Sequence, residues 1–74
     1  MKINGELFRK ARESRLLNIS ELSNQSDIAF KTLVRVERSQ PVKYFTLKKI
    51  ISALGLTIEE AIAKRMVQFD DNDD

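Results

Sequence analysis

The chain is 74 residues long, 42% hydrophobic and 32% charged, with a formal net charge of +2 and neither Cys nor His. That length holds one domain at most, and the apolar share suits a folded chain rather than a disordered one. The missing Cys and His exclude disulfide scaffolds, zinc fingers, thiol nucleophiles and His-based acid–base pairs, and they point to the reducing cytoplasm. No apolar run approaches the roughly 20 residues that cross a bilayer, and Met1-Lys2-Ile3-Asn4 leads into no signal-peptide core, so no membrane partner is expected. The small net charge hides an asymmetry. Over residues 1–69 thirteen Lys/Arg face seven Asp/Glu, a net +6, while Asp70, Asp71, Asp73 and Asp74 close the chain. A basic body of this kind suits a polyanionic partner, and the acidic segment 70–74 reads as a disordered, solvated tail.

Strand-like alternation is nearly absent, and helical periodicity recurs. Leu7, Phe8 and Ala11 predict a first helix over Asn4–Arg15. Asn18-Ile19-Ser20-Glu21 is a capping box that opens a short second helix over Ile19–Gln25, anchored by Leu22. Asn24-Gln25-Ser26-Asp27 supplies turn-forming side chains. Ile28, Leu33 and Val36 mark the buried side of a third helix, Phe30–Arg38, which Ser39-Gln40-Pro41 ends. Thr46 is the expected N-cap of a fourth helix, in which Leu47, Ile50, Ile51 and Leu54 share a face and Gly55 follows the last turn. Thr57-Ile58-Glu59-Glu60 is a second capping box and opens a fifth helix, with Ile58, Ala61 and Ile62 facing inward. The fold class is therefore all-α.

The second and third helices, joined by a tight turn within about 20 residues, have the spacing of a helix-turn-helix. In that arrangement one helix braces the other so that the latter projects into a major groove. Leu22, Ile28, Leu33 and Val36 lock the pair, leaving Phe30, Lys31, Val34 and Arg35 outward.

Between Phe8 and Ile62, about three quarters of the chain, the residues resemble the Cro and phage-repressor class of helix-turn-helix proteins, the xenobiotic-response-element (Xre) family. The resemblance rests on Phe8-Arg9-Lys10-Ala11-Arg12, on Leu22-Ser23 and Ile28, on Leu33-Val34-Arg35-Val36-Glu37-Arg38, and on Thr46-Leu47-Lys48-Lys49-Ile50-Ile51-Ser52-Ala53-Leu54-Gly55-Leu56. It implies a five-helix lambda-repressor-like DNA-binding domain over residues 1–62. Where the family carries Gly before its second helix, in the turn and after its third helix, this chain has Leu16, Asp27 and Ser39. Its common Gln at the start of the second helix is replaced by Ile19.

The resemblance also assigns roles. Arg12 and Glu37 occupy the positions of an internal ion pair that fixes the third helix on the first, so Arg12 is not expected to touch DNA. Phe30, Lys31, Val34 and Arg35 are expected to read base edges. Lys31 and Arg35, four residues apart, would address guanine acceptors, and Val34 or Phe30 a thymine methyl. For Phe30 an alternative is to fold back on Tyr44 or Phe45. Thr32, Arg38, Lys43 and Arg9 are the expected phosphate contacts, which are blind to sequence. Beyond Ile62, residues 63–69 form an apolar extension, helical or extended. Its Met66, Val67 and Phe69 are expected to contact a second copy in a homodimer.

Nothing supports catalysis. Glu59 and Glu60 serve a cap, Ser20, Ser23 and Ser26 lack a His base, and no cofactor motif or metal-ligand cluster is present. The function expected is sequence-specific binding of a pseudo-palindromic double-stranded DNA operator by a homodimeric transcriptional regulator, most often a repressor. The alternative is the antitoxin of a toxin–antitoxin pair, with a toxin protein as partner, that also represses its own operon.

Overall fold

The computed structural model describes residues 1–69, so the acidic segment 70–74 lies outside the described residues. Five helices account for most of the described residues, and a two-stranded pair joins a segment near their beginning to one near their end. The order is β1 (Lys2–Ile3), α1 (Gly5–Ser14), α2 (Ile19–Ser26), α3 (Phe30–Glu37), α4 (Tyr44–Ala53), α5 (Ile58–Ala63) and β2 (Val67–Gln68).

Side-chain caps set three of the helix starts. The Asn4 Oδ1 accepts from the Leu7 amide at the head of α1. At α2 the Glu21 amide donates to Asn18 Oδ1 (2.8 Å) and the Asn18 amide to Glu21 Oε1 (3.0 Å). Thr57 and Glu60 make the same reciprocal pair at α5. Each cap satisfies amides that a helix leaves without internal partners.

Helix ends depend on left-handed backbone. Leu16 (φ 58°), Asp27 (58°), Ser39 (62°) and Arg65 (62°) adopt it after α1, α2, α3 and α5, and Gly55 (75°) after α4. Asp tolerates this region better than most residues, and Gly without cost; for Leu16 the Cβ crowds the following carbonyl. Leu16 is also 90% exposed, so no packing offsets that strain. Leu16→Gly is expected to stabilise the chain by about 1 kcal/mol, the relief of left-handed strain less the extra unfolded-state entropy of Gly. A melting temperature equal to or below that of the parent would contradict the expectation.

One contiguous core unites the elements: Ile3, Phe8, Leu22, Leu33, Val36, Leu47, Ile50, Ile51, Leu54, Ala61, Met66 and Val67. On α1 the buried positions are Gly5, Phe8 and Arg12, spaced three and four apart, with Leu7 and Ala11 only half-buried at the margin. α1 packs on α3, and α2 on both α3 and α4. The Ser23 hydroxyl donates to the Ile28 carbonyl (2.6 Å), which ties α2 to the three-residue connection leading into α3.

Three expectations are corrected, and one open alternative is decided. The fourth helix begins at Tyr44, not after Thr46. Lys43 is extended (ψ 146°), its carbonyl accepts from the Leu47 amide, and the added turn sets the Tyr44 ring 6.0 Å from that of Phe69. Ile62 is exposed, because the inward face of the six-residue α5 is narrow and Ala61 fills it. Of the two alternatives for residues 63–69 the extended one forms: Lys64–Met66 turn the chain, and Val67–Gln68 pair antiparallel with Lys2–Ile3, Ile3 opposite Val67. Met66 and Val67, expected on a surface facing a second copy, are buried at 2% and 1% exposure in this chain's own core. A short domain lacks apolar volume, and these two side chains supply it. Of the three expected dimer residues only Phe69 is exposed.

Candidate nucleic-acid interface

The outward side of α3 follows from its buried one. With Leu33 and Val36 inward, the 100° advance per residue leaves Lys31 and Arg35 exposed on one face, Val34 half-buried beside them and Phe30 exposed at the first turn. The Phe30 ring stacks on neither Tyr44 nor Phe45. Among the described residues Tyr44 pairs with Phe69, and Lys49 Nζ lies 5.1 Å from the centre of the Phe45 ring. Phe30 therefore stands outward, 49% exposed.

α3 is held against α1 by Arg12 and Glu37. Arg12 Nε donates to Glu37 Oε2 at 2.7 Å and Nη2 to Oε1 at 3.1 Å, a bidentate pair, while Nη1 donates to the Leu17 carbonyl at 2.9 Å. One guanidinium thus binds the end of α3 and the α1–α2 connection together. The hydrogen bond to Glu37 raises the Arg12 pKa above its ordinary value, against the opposite pull of burial. The Arg12 side chain is almost entirely enclosed and makes no contribution to the outward face.

α3 and α4 differ from the other helices at their starts. Ala29 and Lys43 occupy the N-cap positions, neither side chain caps, and neither first turn contains an acid. The first-turn amides of both helices thus lack the side-chain acceptors that α1, α2 and α5 possess. Both first turns border the same pocket of about 410 Å³, lined by Thr32, Arg35, Pro41, Val42, Lys43 and Thr46. Two helix N-termini, two cations, two hydroxyls and, among the described residues, no carboxylate make this concavity electropositive. Oriented amides with adjacent Arg and Lys suit the oxygens of a phosphate.

The expected site residues divide accordingly. Thr32, Arg35 and Lys43 line the pocket; Lys31 and Phe30 stand on the adjoining outward face of α3, with Val34 between them and the core. Arg35, expected at base edges, has its Nη2 donating to the Pro41 carbonyl at 3.0 Å, which places the guanidinium at the pocket's border. Arg38 is exposed at the end of α3 and is not part of the pocket lining. Arg9 lies on α1 with its Nη2 3.9 Å from Glu6, apart from the pocket.

One contributor escaped the sequence reading: Thr46, taken for an N-cap. The signal that finds it is the lack of Ser, Thr, Asp or Asn at positions 29 and 43, immediately before two apolar-periodic segments.

Among the described residues no group of three or more potential metal ligands occurs, and no helix is long and apolar enough to cross a membrane. No protein-family model matches the chain, and neither a curated protein nor a solved structure shows significant similarity to it.

Proposed function

We propose that the chain is a sequence-specific double-stranded-DNA-binding protein of helix-turn-helix type, a transcriptional regulator that represses by occluding a promoter. The observation that carries this reading is the electropositive pocket between the uncapped starts of α3 and α4, next to the solvent-facing side chains of α3. A phosphate seated there would fix α3 relative to the duplex, and Lys31, Phe30 and Val34 would then meet base edges in the major groove.

A second observation favours membership of the Cro and phage-repressor class. Leu16, Asp27 and Ser39, which stand where that class carries Gly, all have φ near +60°. The backbone keeps a glycine conformation without the glycine, and a shared chain path accounts for that at all three positions.

The protein acts as a homodimer on a pseudo-palindromic site, with two copies of α3 about one helical turn (~34 Å) apart. Since Met66 and Val67 lie in the core, the exposed Tyr44–Phe69 pair is the apolar surface remaining near the end of the described chain for such a contact.

Selection of bound duplexes from a random pool tests the reading. Enrichment of a pseudo-palindrome is expected; no enrichment, together with no duplex binding at low salt, would reject it. On the enriched site Lys31→Ala should cost roughly 1–3 kcal/mol, concentrated at one base pair, whereas Arg35→Ala and Lys43→Ala should weaken selected and random DNA alike. A loss concentrated at one base pair for Arg35→Ala would move Arg35 from phosphate binding to base reading.

A further inference from the structure

The pairing of β1 with β2 assembles a second basic concavity from residues far apart in sequence. A pocket of about 440 Å³ is lined by Lys2, Ile3, Asn4, Ser39, Arg65 and Gln68. Lys2 sits opposite Gln68 in the strand pair, and Arg65 enters from the turn that leads into β2. Among the described residues no acid borders the pocket, and neither Lys2 nor Arg65 forms an ion pair with a described residue. The Ser39 hydroxyl accepts from the Gly5 amide at 2.9 Å, which leaves its own hydrogen available to donate, and Gln68 adds an exposed amide.

The position matters as much as the charge. Lys2, Ile3 and Ser39 also border a third concavity shared with Pro41, and Pro41 borders the pocket between α3 and α4. The three concavities thus follow one another along the 38–43 loop through shared lining residues, and among the described residues none of them is lined by an acid. Successive basic concavities along one loop suit a polymer of phosphates better than a single small anion.

We propose that the pocket between the strand pair and the 38–43 loop is a second phosphate site, in which Lys2 and Arg65 hold the backbone of the same duplex that α3 reads. The inference rests on the DNA-binding reading and extends its footprint to residues outside the helices. Contacts here are sequence-blind and release counterions, so they appear in the salt dependence of affinity.

The experiment measures duplex binding by the full chain as a function of salt for Lys2→Ala, Arg65→Asn and the double variant. Asn suits the left-handed backbone at position 65, so folding is preserved while the charge is removed. Lys64→Ala is the control: it removes the same charge one residue away, from the lining of a different groove. The slope of log affinity against log salt should fall in magnitude by about 0.9 for each single variant and about 1.8 for the double, equally on selected and random DNA. The control should leave it unchanged. An unaltered slope in the double variant, or an equal fall in the control, overturns the second site while leaving the DNA reading intact. If the parent chain binds no duplex, the DNA reading fails, and inorganic pyrophosphate becomes the probe. Amide shifts at Asn4, Ser39 and Gln68 that vanish in the double variant would keep a phosphate pocket serving another ligand, and their absence would overturn it.

Discussion

Glu37→Ala is expected to destabilise the fold by about 3 kcal/mol, a large share of what so short a domain can hold. The loss comes less from the deleted carboxylate than from what stays behind. Arg12 keeps its charge in a largely enclosed site, with the Leu17 carbonyl as its remaining hydrogen-bond partner. Because the folded-state pKa of Arg12 is raised, the stabilisation linked to its proton is fully present below the ordinary Arg range and disappears only above the raised value. Arg12 consequently stays charged throughout about pH 5–9, and no shift within that window relieves the variant. Urea unfolding at neutral pH gives the measurement. A loss below about 1 kcal/mol would show that water reaches the guanidinium and that the pair is a surface one. Replacing both partners, as in Arg12→Met with Glu37→Leu, should recover much of the loss, because apolar groups of similar volume leave no orphaned charge. Recovery would also separate the pair's structural role from DNA affinity.

Gly5→Ala should be similarly damaging for a steric reason. An added Cβ would overlap the carbonyl group of Glu37 and stand 2.7 Å from the Val36 carbonyl oxygen. These are backbone atoms at the end of α3, so no side chain can swing aside. Gly5 is the first residue of α1, where helix propensity favours Ala over Gly by less than the ~1 kcal/mol of an interior position. The crossing of α1 and α3 reverses that preference. A net destabilisation of about 2–3 kcal/mol is expected, from separating the two helices and loosening the hydrogen bond between the Gly5 amide and Ser39. In a domain of this size that lowers the melting temperature by roughly 10 °C or more. An unchanged or higher melting temperature would mean that α1 slides on α3 at little cost. A functional consequence follows, since the same crossing orients α3 and shapes the Ser39 side of the strand-pair pocket. Gly5→Ala should therefore weaken duplex binding even where the chain remains folded.

The two substitutions also show how far local sequence carried the reading. Asn18 with Glu21 and Thr57 with Glu60 announce two helix starts, and both capping boxes form with reciprocal bonds. Caps depend on residues three apart, so they are legible without knowing the fold. The buried positions Leu22, Leu33, Val36, Leu47, Ile50 and Ile51 follow from helical period alone. Gly5 could not be read in this way. Its role depends on a carbonyl 32 positions away in the chain, at the end of α3.

The site divides along the same line. The exposed face of α3, with Lys31 and Arg35 one turn apart, is a property of period and was legible. That Arg35 bends to the Pro41 carbonyl, and that Thr32 and Thr46 share one pocket, required the 38–43 loop to fold back between two helices. Thr46 misled because a Thr before an apolar run is a good cap on local grounds. The helix instead gains a further turn where Tyr44 meets Phe69, a contact between rings 25 positions apart.

What the sequence by itself determined is the all-α class, the order of the five helices, most of the core and the basic character of residues 1–69. Each of these is set by neighbours within a turn or two, through capping, period and charge. Only the tertiary structure decided the use of residues 63–69. Two-residue strands have no visible alternation, and Ile3 pairs with Val67 because burying Met66 and Val67 completes a core that the helices leave short. That closure removes two side chains from any surface contact and brings Lys2 beside Gln68 and Arg65. Basic residues that look scattered along residues 1–69 become contiguous because the segments around Ile3 and Val67 must meet to exclude water.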